Sequence, residues 1–91
     1  MELNLIFVIF PGTNSFTVAR YTRERDGDLG HYWAIFNQMG QYSSKEEAIM
    51  MCRMDNPSLR IFFRHETVSA LPFWITDGYL NIRYTELKFS K

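Results

Sequence analysis

Apolar and polar positions alternate over most of this chain in short runs, and the runs end on Gly, Pro, Asn or Asp, as expected of strands separated by tight turns. The first run, Leu3 to Phe10, is apolar on both faces and rich in β-branched and aromatic residues, which predicts a strand in the middle of a sheet. Pro11-Gly12-Thr13-Asn14 turns the chain. Phe16 to Thr22 then sets Phe16, Val18 and Arg20 against Thr17, Ala19 and Tyr21, a more exposed strand antiparallel to the first. The polar stretch from Arg23 to Gly30 carries both charge signs and two glycines, so it reads as a solvated loop before a third strand at His31 to Phe36. These three strands form a meander.

One segment departs from the two-residue period. Ser44 followed three residues later by Glu47 is a capping box with acidic residues in the first turn, and Asp55-Asn56-Pro57 ends the helix after about Met54. On a helical wheel Ala48, Ile49 and Cys52 share one face with Met51 on its flank, while Glu46, Glu47, Met50, Arg53 and Met54 occupy the other half. Leu59 to Phe63 reads as a strand and Arg64 to Ala70 as a connection. Phe73 to Thr76 and Tyr79 to Tyr84 read as a hairpin closed by Asp77-Gly78, a type I′ signal. Leu80, Ile82 and Tyr84 fall on one face and Leu87 and Phe89 on the other, which predicts a bulge near Thr85 and Glu86 or the end of the strand there. The expected fold is α+β: an antiparallel sheet of five to six strands with one helix packed on one face, in the order β-β-β-α-β-β-β, forming one compact domain over residues 1–91.

Composition sharpens this picture in three ways. The chain has 91 residues, 46% hydrophobic and 22% charged, enough for one modest core and a thin stability margin, so pairing with itself or a partner is a natural way to bury surplus apolar area. Ten basic and ten acidic residues cancel, which removes any global attraction to nucleic acid or anionic membranes. The basic residues are nonetheless seven Arg against three Lys, and Arg suits contact surfaces. A single cysteine, Cys52, excludes an intramolecular disulfide and fits a reducing compartment, with the cytoplasm as the expected location. The opening apolar run follows Glu2, lacks a basic flank and is too short to span a bilayer, so a buried strand explains it and no membrane association is expected.

The residues offer little for catalysis. Cys52 lies on the apolar face of the predicted helix, far from its N-terminus, and reads as a core thiol. His65-Glu66 are adjacent in a connection, and neighbouring residues in extended chain point to opposite sides. Asp26-Gly27-Asp28 begins like a calcium loop but lacks the later ligands, and Pro11 to Asn14 lacks the spacing of a phosphate loop. No enzyme activity, metal or cofactor is therefore expected. Aromatic and arginine residues are interleaved along the predicted strands, the residue types enriched at the centres of protein interfaces. The best reading is a non-enzymatic protein-binding, regulatory or inhibitor protein acting on another protein or, as a homodimer, on itself. Arg20, Tyr21, Arg23, Arg60, Arg83 and Tyr84 are its candidate contacts on an uncovered sheet face, and Met50, Arg53 and Met54 on the outer helix surface. The composition also suits an accessory protein of a virus or mobile element. Single-stranded RNA binding, through rings beside phosphate-binding arginines, is the alternative.

Overall fold

A computed structural model describes residues 4–28 and 30–88. Six strands and two helices follow in the order β1 (Leu5–Pro11), β2 (Phe16–Asp26), β3 (Gly30–Tyr42), α1 (Lys45–Asp55), β4 (Arg60–Arg64), β5 (Trp74–Thr76), α2 (Asp77–Arg83) and β6 (Tyr84–Leu87). The strands form one sheet in the spatial order β5-β3-β2-β1-β4-β6. β1 is interior, as its apolar run requires, and β1, β2 and β3 form the expected meander. The predicted charged loop after Thr22 is shorter than its composition suggests. β2 and β3 stay paired out to Asp26 and Gly30, and the Asp26 carboxylate accepts the Asp28 amide to close the turn.

Three expectations about the strands are corrected. The sheet is mixed, because β4 returns from α1 to run parallel to β1. Asp77-Gly78 does not close a hairpin: the Thr76 hydroxyl accepts the Tyr79 amide and starts α2, so β5 and β6 lie on opposite edges of the sheet. The change of phase after Tyr84 needs no bulge, since β6 pairs continuously with β4 from Tyr84 to Leu87. Tyr84 packs into one apolar cluster and Leu87 against another, on opposite faces of the sheet.

The two clusters explain the apolar character of β1. Ile6, Val8 and Phe10 join Ala19, Tyr21, Trp33, Phe62, Ile75, Leu80 and Tyr84 on one face. Phe7 and Ile9 join Val18, Ala48, Cys52, Leu59 and Ile61 on the other, beneath α1. The Ser44 hydroxyl caps α1 by accepting the Glu47 amide, and the Glu47 carboxylate reaches back to the Ser43 amide. Ala48 and Cys52 are buried and Met50, Arg53 and Met54 exposed, as the wheel predicts. Burial pushes the Cys52 thiol up to about 12, helped by the nearby Asp55 carboxylate, so it is an unreactive core group.

The other face is covered as well, contrary to expectation. The segment 65–73 crosses it as a strap, held where His65 N–H donates to the Arg83 carbonyl, Val68 N–H to the Pro11 carbonyl, and the Tyr21 hydroxyl to the Pro72 carbonyl at 2.7 Å. α2 completes the cover. It must also bend the sheet: from Thr76 to Tyr84 a helix rises about 12 Å, whereas five inter-strand steps of a flat sheet span about 24 Å. The sheet therefore curls, bringing its edge strands toward each other around the cluster that holds Tyr21 and Tyr84.

Candidate functional site

The candidate residues do not converge on one face. Four of the arginines cross-link elements of the fold instead. Arg20 bonds Asn37 Oδ1 at 2.9 Å and Asp55 Oδ2 at 3.2 Å, joining β2 and β3 to the end of α1. Arg23 pairs with Asp77 at 2.8 Å and lies over the Trp33 ring. Arg60 grips Glu86 through two hydrogen bonds of 3.0 and 2.9 Å, which hold that carboxyl below the usual carboxylate range. Arg83 bonds Glu66 of the strap. Tyr21 and Tyr84 are interior rather than contact residues. Met50, Arg53 and Met54 remain on the outer surface of α1, away from the strands that carry the others.

A different set of aromatics is gathered at the β3–β5 end. β3 carries two extra residues relative to β2: Tyr21 faces Ile35 while Arg20 faces Asn37, and Ala19 faces Gln38 while Val18 faces Gly40. Phe36 and Met39 are the unpaired residues of these bulges. Phe36 is 62% exposed. Its neighbour Ile35 donates its amide to the carbonyl of Phe73, which is 83% exposed, and Trp74 beside it is 49% exposed. Because Trp33 and Ile75 point into the core under the strap, alternation sends Tyr32 and Trp74 to the convex side, where their rings meet edge to face at 6.3 Å. α1 covers the part of that side over Phe7, Val18 and Ile61, leaving this corner open. Sequence periodicity missed the grouping because Phe36 sits in a bulge and Phe73 precedes a three-residue strand.

Beside this corner lies a pocket of about 260 Å³ between β5 and the far side of the curled sheet, lined by Arg64, Pro72, Trp74, Ile75, Thr76 and Tyr79. Arg64 is its cation, with a side chain only 14% exposed. Its Nη1 donates to the Tyr84 hydroxyl at 3.1 Å and its Nη2 to the Tyr79 hydroxyl at 3.2 Å, with both rings 5.6 Å from the guanidinium carbon. Burial raises the Tyr84 phenol above its ordinary value, against the pull of Arg64, so it accepts as a neutral group. The Glu66 carboxylate approaches Arg64 to 3.9 Å, beyond hydrogen-bonding distance, and the buried Arg64 Nε has no hydrogen-bond partner among the described residues. A second, larger cleft of about 490 Å³ opens between the strap and the other end of the sheet, where Thr17, Gln38, Gln41 and Ser69 offer uncharged polar groups beside Val68 and Leu71.

No cluster of three or more metal-ligating side chains and no helix long and apolar enough to cross a membrane occurs among the described residues. Compared with family models, curated proteins and solved structures, the chain matches none.

Proposed function

We propose that the chain is a non-enzymatic binding protein that docks on another protein through the aromatic corner formed by Tyr32, Phe36, Phe73 and Trp74. The observation that carries this reading is the exposure of three aromatic residues, Phe36, Phe73 and Trp74, at neighbouring main-chain positions of β3, the preceding strap and β5. Their burial in a complex would remove large apolar surface from water, and aromatic anchors of this kind dominate interface energetics. The arginines do not favour the RNA alternative: Arg20, Arg23, Arg60 and Arg83 each spend their charge on a carboxylate of the same chain.

The test is photo-crosslinking in the native host with a benzoylphenylalanine at position 36, 73 or, on the helix side, 50. Protein adducts from positions 36 and 73 that disappear on Trp74→Ser, with position 50 silent, are expected. A copy of the chain itself as the adduct identifies a homodimer. Nucleic-acid adducts, or protein adducts from position 50 alone, would overturn the reading.

A further inference from the structure

We infer that the free edge of β5 accepts an extended peptide segment of a partner protein, and that Arg64 selects segments bearing an acidic side chain. This rests on the docking reading above and specifies what the partner presents. Three observations meet here. The first is the edge itself: β5 is the last strand on its side of the sheet. The Ile35 amide donates to the Phe73 carbonyl at 3.0 Å, so Ile35 and Phe73, and then Trp33 and Ile75, are the hydrogen-bonded pairs of the ladder. The N–H and C=O of Trp74 and the N–H of Thr76 therefore point away from β3, toward the open side.

The second is the pocket into which that edge opens. Its 260 Å³ holds one side chain of a bound strand, walled by Pro72, Ile75 and Tyr79. Main-chain pairing at an exposed edge with a pocket for an alternate side chain is how strand addition combines affinity with specificity.

The third is the charge at the back of the pocket. Arg20, Arg23, Arg60 and Arg83 are each hydrogen-bonded to a carboxylate. Arg64, more buried than any of these, is hydrogen-bonded to two phenol hydroxyls, with Glu66 standing off at 3.9 Å. A carboxylate entering the pocket would meet a cation already positioned and already desolvated. A cationic or purely apolar side chain would leave that charge with only the distant Glu66 carboxylate.

Selection of a phage-displayed library of random dodecapeptides on the full chain tests this. Enriched sequences are expected to carry an Asp or Glu flanked by β-branched or aromatic residues. Arg64→Gln is expected to weaken the best peptide about tenfold or more, with Arg64→Lys recovering part of the affinity. Amide exchange at Trp74 and Thr76 should slow on binding, and N-methylation of the peptide backbone should abolish it, two readouts that do not depend on how well the Arg64 variants fold. Failure to enrich any peptide, enrichment without an acidic residue, or unchanged exchange at Trp74 and Thr76 would overturn the inference. Crosslinks from positions 36 and 73 would then still stand for docking through the aromatic corner alone.

Discussion

Replacing Gly78 by Ala separates the two conformations open to residues 76–79, and it does so by sign. In the structure Gly78 is the second residue of α2 and does not have a positive φ. An added Cβ would meet no atom within 4 Å, so the methyl introduces neither strain nor a clash. Alanine then restricts the unfolded chain and favours the helix, a gain of about 0.5–1 kcal/mol, with the lower end expected in a first turn. For a domain of this size that raises Tm by roughly 2–8 °C. In a type I′ hairpin the same glycine would need a positive φ, and alanine there would cost about 1–2 kcal/mol. Urea unfolding of the two proteins followed by far-ultraviolet circular dichroism measures the difference, with an unchanged m-value showing that the same surface is exposed. A midpoint lowered by Ala would refute the helix and restore the hairpin. It would also undo the argument for curling, which depends on α2 joining opposite edges of the sheet.

Tyr21→Phe keeps the buried ring and removes one hydrogen bond to the Pro72 carbonyl, so it should cost about 1–2 kcal/mol at pH 7 by urea titration. Burial, then Tyr84, raises the Tyr21 phenol above its ordinary value. The unfolded chain therefore loses this proton first, stability declines as pH rises above about 10, and the gap between wild type and variant should narrow there. A gap that stays constant across that range would mean that the buried phenol does not carry the effect. Ser44→Ala should cost about 1 kcal/mol through the lost cap on the Glu47 amide, and wild-type stability would place the start of α1 elsewhere. Cys52, buried and with its thiol held protonated, should react with Ellman's reagent only as fast as the protein opens; stoichiometric labelling within the mixing time would show an accessible thiol.

The sequence by itself determined the elements whose signals are local. The β1 run, its hairpin to β2 and the α1 capping box each depend on residues a few positions apart, and each occurs, with β1 at Leu5–Pro11 and Leu3 outside the described residues. The Asp77-Gly78 pair was ambiguous at that range, because Thr76 followed by Asp77 is a helix start as well as the shoulder of a turn. Leu80 and Tyr84, four apart and both buried, were the helical signal that a two-residue period concealed. What only the tertiary structure decided concerns pairing over long separations. The parallel return of β4, the strap over the second face and the placement of β5 and β6 on opposite edges take Tyr21 and Tyr84 into the core and tie four arginines to carboxylates 17 to 54 residues away. The same long-range pairing brings Phe36, Phe73 and Trp74 to one corner and leaves Arg64 beside a free strand edge, an arrangement that no local spacing encodes.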